Sequence, residues 1–150
     1  MSSRHVLRTM TGFYVLLFFA EAGFLYHMDD YSDDQPRWDV VETSAGPKPI
    51  VIVPYALDTN DMKFWLAPGY TPSDWLDYAV ETFDRLLAEG ADGPRMMSLG
   101  LHLRIIGRPG RIAGLARVLE HIAAKGGIWI ARRNEIARHW RALNGLPDVP

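Results

Sequence analysis

The chain has 150 residues, 48% hydrophobic and 23% charged, a balance that fits one folded domain and excludes a disordered or fibrous chain. It contains no cysteine, which excludes disulfides, thiolate metal sites and a cysteine nucleophile. The net charge of −2 hides a polarity: residues 1–94 carry 6 basic and 15 acidic side chains, a net −9, while residues 95–150 carry 10 basic and 3 acidic, a net +7.

Arg4, His5 and Arg8 precede the apolar run Gly12 to Ala20, and Ala20-Glu21-Ala22 has the small-x-small spacing of a signal-peptidase site. Two readings stand: a secretory signal, or a buried helix with Leu16, Leu17, Phe19 and Ala20 inward and Gly23 as its stop. A membrane span needs about 20 apolar residues, which this run lacks, so no membrane is expected. Residues 1–19 form an N-terminal segment, helical or signal-like, ahead of a domain over 20–150.

Phe24 to Met28 reads as a short strand, and the acidic stretch Asp29 to Asp34 as a solvated loop, since it lacks the central Gly and closing Glu of a calcium loop. Residues 35–49 hold three prolines and read as irregular connection. Ile50-Val51-Ile52-Val53, closed by Pro54, predicts a strand buried on both faces, as in a parallel sheet. The polar loop Tyr55 to Asp61 follows it. Ser73 is a candidate cap for a helix with Trp75, Leu76, Ala79, Phe83, Leu86 and Leu87 at helical spacing and Gly90 as its stop.

Met96 to Leu103 is the next candidate strand. The loop Arg104 to Gly110 leads to a helix with Ile112, Leu115, Leu119 and Ile122 on one stripe, ended by Gly126 and Gly127. Ile128-Trp129-Ile130 is a third short strand, and Asn134 is placed to cap a last helix with Ile136, Ala137 and Trp140 inward. Strands alternating with helices predict an α/β fold with a parallel sheet, open or closed into a barrel. Chemistry in such folds sits at the C-terminal ends of strands, which singles out Tyr55 to Asp61 and His102.

His102 closes an apolar strand and is followed by Arg104, Arg108 and Arg111. An imidazole titrates near neutral pH and can hand a proton to a departing nitrogen, or it can be a core histidine held by a backbone carbonyl. Asp58, Asn60 and Asp61 can bind or polarise a ureido, amide or sugar group, or simply make side-chain hydrogen bonds within a turn. Arg108 and Arg111 can clamp an anion around Pro109-Gly110, a pair that also makes an ordinary helix entry.

The five histidines include no pair at the three- or four-residue spacing that puts two metal ligands on one helix face, so no metal site is expected from this chain alone. No Gly-x-Ser-x-Gly elbow, phosphate loop or dinucleotide fingerprint occurs. The arginines are spread over two predicted helices and their loops without a nucleic-acid-binding pattern, so no nucleic-acid partner is expected.

Tyr55-Ala56-Leu57-Asp58-Thr59-Asn60-Asp61-Met62, the stretch MMSLGLHLRIIGRPGR from Met96 to Arg111, Ile136 to Trp140 and, upstream, AEAGFLYHMDDYSDD from Ala20 to Asp34 resemble the polysaccharide deacetylase (NodB-homology) superfamily in its allantoinase-like branch. The resemblance covers about residues 20–141 and matches the C-terminal half of the family's domain. It implies part of a distorted (β/α) barrel of the glycoside hydrolase/deacetylase type, and hydrolysis of non-peptide C–N bonds in amides, ureido compounds or N-acetyl sugars.

By that resemblance His102 matches the histidine of the family's late Leu-x-His motif, the general acid for the leaving nitrogen. Asp58, Asn60 and Asp61 match a loop lining the same pocket, and Tyr55 and Arg108 are the further candidate substrate-binding residues. The family's early Asp motif and its His-x-x-x-His ligand motif have no counterpart here, and His27-Met28 stands where the family tends to have Asp-Ser. No cofactor is therefore expected from this chain, and a divalent metal such as zinc only if the missing half is supplied.

A truncated gene, a split subunit or a catalytically inactive, ligand-binding remnant are the forms such a chain can take. A half barrel exposes its apolar face, so a homo-oligomer or an N-terminal-half partner chain is expected. The resemblance implies a cytoplasmic location, with secretion as the alternative if residues 1–22 are a signal peptide.

Overall fold

The computed structural model describes residues 10–147, with side chains from Tyr14 onward; Arg4, His5 and Arg8 lie outside them. The elements are α1 (Met10–Glu21), β1 (Tyr26–His27), β2 (Arg37–Thr43), β3 (Gly46–Ile52), α2 (Pro72–Glu89), α3 (Leu103–Ile106), α4 (Pro109–Ala123) and α5 (Arg133–Leu143), with a one-turn 3-10 helix over Asp61–Phe64. They fall into two compact units. No helix of the described residues is long and apolar enough to cross a membrane.

The first unit takes the described residues up to Asp30, Pro36–Val53 and Ala131 onward. Its sheet has the order β1-β3-β2, with β1 parallel and β2 antiparallel to β3. Leu16 and Ala20 of α1 pack with Val41 and Ile50, as the inward stripe predicts, and Gly23 with φ +74° ends the helix. Ile50 to Val53 are buried, as an uninterrupted β-branched run requires.

Residues 35–49, expected to be irregular, instead form most of a hairpin. Arg37-Trp38-Asp39-Val40-Val41 supplies strand formers, and Gly46 with φ +99° makes a turn that few other residues accept. Pro47 and Pro49 are tolerated because β1 pairs only with Val51 and Ile52, leaving that stretch of β3 with a strand neighbour on one side alone. The helix α5 starts after Arg132 rather than at Asn134, because the Glu135 carboxylate closes on the Arg132 N–H at 2.7 Å. Ala137 faces inward as expected. Arg141 is buried beside it, donating to the carbonyls of Pro147 and Pro49.

The second unit takes Tyr31–Gln35 and Pro54–Ile130. The cap of α2 is Thr71, not Ser73: Thr71 and Asp74 exchange hydrogen bonds in a capping box, with Pro72 in the first turn and Gly90 at the end. α2 packs on α4, and Trp75, Ala79, Ile105, Ile106 and Val118 make the core. On α4 the buried face is Gly114 and Val118 with Leu115 and Ile122, while Ile112 and Leu119 of the expected stripe are exposed. At Gly114 a Cβ would stand 3.4 Å from the Pro72 carbonyl oxygen, an ordinary van der Waals contact.

Neither Met96–Leu103 nor Ile128–Ile130 is a strand, which corrects the predicted alternation. The backbone of the first is taken up by loops: the Met96 N–H donates to the Asp34 carbonyl, the Ser98 carbonyl accepts from Thr59 Oγ1, and the Gly100 carbonyl accepts from the Asp61 N–H. In the second, Trp129 and Ile130 are exposed, so no sheet face is being filled. The segment Arg104 to Gly110, expected to be loop, contains the single turn α3.

Candidate functional site

The site grows from two segments of the second unit. One is Tyr55–Phe64, which follows β3 in the chain; the other is Ser98–Ile106. Three hydrogen bonds hold them together: the Ala56 N–H to Ser98 Oγ at 3.0 Å, Thr59 Oγ1 to the Ser98 carbonyl at 2.7 Å, and the Asp61 N–H to the Gly100 carbonyl at 2.9 Å. Trp75 Nε1 donates to the Thr59 carbonyl at 3.2 Å, so the core of the unit also grips the loop.

Within that frame Asp61, fully buried, starts the 3-10 helix and turns both carboxylate oxygens onto His102. Oδ2 accepts from the His102 backbone N–H and Oδ1 meets Nδ1, each at 2.7 Å. An ionised carboxylate only accepts, so the imidazole proton lies on Nδ1 and the other ring nitrogen, Nε2, is left for chemistry. The His102 side chain is 32% exposed while that of Asp61 is 0% exposed, the arrangement of a ring held from behind and open in front.

Asn60 is turned by its neighbours as well. Its Oδ1 accepts from the Met62 N–H at 2.9 Å and its Nδ2 donates to Tyr55 Oη at 2.7 Å. Gly100 makes room for this contact, because a Cβ there would stand 2.2 Å from Tyr55 Oη and 2.4 Å from Asn60 Nδ2. The candidate residues therefore divide. Asp61, Asn60 and Tyr55 converge on the segment that carries His102.

Asp58 turns the other way and accepts from Tyr78 Oη at 2.8 Å, a bond that, with burial, pushes the Tyr78 phenol up to about 12. It lines a cavity of about 360 Å³ with Asp34, Glu81, Arg85 and Met96, whose lining includes neither His102 nor Asp61. Asp34 in that cavity has its carboxyl pushed up by burial, then by the charges of Asp58, Asp33 and Glu89. Arg108 is exposed and caps α4 through its backbone. Arg111 is turned inward, donating to the Ile105 carbonyl and lying over the Phe64 ring.

Sequence reasoning weighed Asp58 and Asp61 alike and did not couple either to His102. It also passed over Ser98, Gly100 and Tyr78. A Gly two residues before a candidate histidine was the available signal for a close approach. Among the described residues no group of three or more His, Asp or Glu is placed to hold a metal ion, so no step is derived through one.

No family model matches the chain. It is 45% identical over 124 residues to a Schizosaccharomyces pombe protein provisionally named a polysaccharide deacetylase, covering 78% of this chain and 39% of that protein. A crystal structure provisionally named a polysaccharide deacetylase, from Pseudomonas aeruginosa PAO1, matches with a TM-score of 0.78 at 42% identity over 85% of this chain and 43% of its own. The crystal structure of PuuE allantoinase matches with a TM-score of 0.78 at 45% identity, over 86% of this chain and 42% of its own. A Mycobacterium smegmatis structure, at 24% identity and a TM-score of 0.72, shares the fold. The chain thus spans less than half the length of each of these relatives.

Proposed function

We propose, from the premise that the chain is a part-length member of the polysaccharide deacetylase family, that it supplies the leaving-group side of a site hydrolysing non-peptide C–N bonds of amides, ureido compounds or N-acetyl sugars. The Asp61–His102 couple is the observation that carries this reading. Asp61 fixes the ring through Nδ1, and it is as the imidazolium, with a proton on each ring nitrogen, that His102 delivers the Nε2 proton to the departing nitrogen. Water adds to the carbonyl carbon and gives a proton to the group that activates it, the C–N bond breaks, and the nitrogen leaves with the Nε2 proton, after which the neutral His102 is reprotonated from solvent. Activation of the water falls to a carboxylate or a metal held outside the described residues.

Tyr55 and Asn60, tied together beside His102, are the polar groups nearest to hand for the substrate, whereas Asp58 faces the Tyr78 cavity. Leu101 and Leu103, 41% and 90% exposed on either side of His102, support completion of the site by a second copy or by a chain matching the rest of the relatives' fold. The reading carries a cytoplasmic location, which N-terminal sequencing of any exported protein would overturn.

The test is hydrolysis of allantoin, a cyclic imide and an N-acetylated chito-oligosaccharide by wild type and His102→Ala, with and without zinc. Turnover that His102→Ala abolishes is expected. Folded wild type inert towards all three would favour a ligand-binding remnant or a split subunit, and equal rates in the variant would remove His102 from the chemistry.

A further inference from the structure

The segments that bring Asp61 to His102 meet a second time. Trp65 closes the 3-10 helix that Asp61 begins, and Arg104 lies two residues beyond His102 on α3, which packs against that turn. The Arg104 guanidinium lies over the Trp65 ring, 5.8 Å from its centroid.

Both side chains are exposed, Trp65 at 56%. Arg37, Arg85 and Arg95 each hold a carboxylate of Asp30 or Glu89, but among the described residues no carboxylate pairs with Arg104. Its planar fork of donors is positioned by an aromatic ring instead, which leaves the fork's edge available to an anion. Lys63 and Arg108, on the same two stretches, add positive charge.

We propose that Trp65 and Arg104 form a specificity shelf for a planar ureido or amide substrate bearing a carboxylate. Arg104 pairs with the carboxylate, the indole stacks on the planar group, and the scissile nitrogen falls at His102. The proposal rests on the reading of His102 as the acid for the leaving nitrogen and narrows its substrate class from neutral amides and sugars to anionic ones.

The experiment follows the Trp65 indole N–H resonance of the full chain, assigned with Trp65→Phe, during titration with N-carbamoylglycine and with its neutral amide. Wild type should bind the carboxylate about three- to tenfold more tightly, the range for an ion pair between exposed and part-buried groups. Arg104→Gln should erase that preference, and Trp65→Ala should weaken binding of both ligands.

Equal binding of the two ligands, binding of neither, or a preference that survives Arg104→Gln overturns the shelf. Because the readout is binding, a preference found in a chain without turnover would leave the shelf standing whatever becomes of the hydrolase. Turnover without the preference would do the reverse.

Discussion

Replacing Asp61 with Asn tests the couple at its centre. The carboxylate is fully buried and accepts two bonds of 2.7 Å, from the His102 backbone N–H and from Nδ1. An amide of the same shape has one accepting oxygen and one donating nitrogen. The oxygen can keep the backbone N–H, and Nδ2 then faces Nδ1, so two donors would collide unless the imidazole moves its proton to Nε2. One charge-assisted bond is lost, worth about 1.5–3 kcal/mol, and the lower part of that range applies because the ring is 32% exposed. About 2 kcal/mol lowers Tm by roughly 4–8 °C in a chain of this size. The assay pairs thermal unfolding with long-range nitrogen-edited NMR of the imidazole, which reports the nitrogen that carries the proton. A proton that stays on Nδ1 in Asp61→Asn, or an unchanged Tm, would refute the reasoning.

Gly100→Ala should cost about 1–3 kcal/mol by driving a methyl group into Tyr55 and Asn60, whereas Gly110→Ala, whose Cβ would meet nothing within 4 Å, should be neutral or slightly stabilising; urea midpoints compare them. Asp34→Asn should raise Tm at neutral pH and leave it unchanged near pH 3. The Asp34 carboxyl is pushed up in the folded chain, so its contribution is present below the ordinary carboxylate range and is lost as pH rises through the lifted value. A Tm difference between wild type and Asp34→Asn that does not grow from pH 3 to 7 would count against the burial of Asp34 and its crowding by Asp58, Asp33 and Glu89.

The elements legible in the sequence were those whose signal is local. The run Ile50 to Val53 could only be a buried strand, and the helical spacing from Trp75 to Leu87 named the core face of α2. The errors fell where distant partners decide. Met96 to Leu103 has the composition of a strand, yet its backbone groups bond to Asp34, Thr59 and Asp61, which no local pattern announces. The hairpin of β2 and β3 was obscured by prolines that its edge position makes harmless. In Asp58-Thr59-Asn60-Asp61 four polar residues were indistinguishable by type. The chain conformation at the start of the 3-10 helix separates them, sending Asp58 to Tyr78, Asn60 to Tyr55 and Asp61 to His102.

That separation bears on what the rest of the fold must contribute. Among the described residues, the hydrogen bonds that aim the His102 ring come from within the second unit: Ser98 and Gly100 hold the loop, Trp75 anchors Thr59, and Asp61 grips both the backbone and the ring of His102. A proton donor positioned this way is preorganised before any partner or substrate arrives, and preorganisation is the costly part of building a site. Activating the water would fall to a carboxylate or metal held by whatever completes the site. Whatever completes the site therefore need not reshape the His102 side, and Asp61→Asn should alter the ring to the same extent with or without a completing partner.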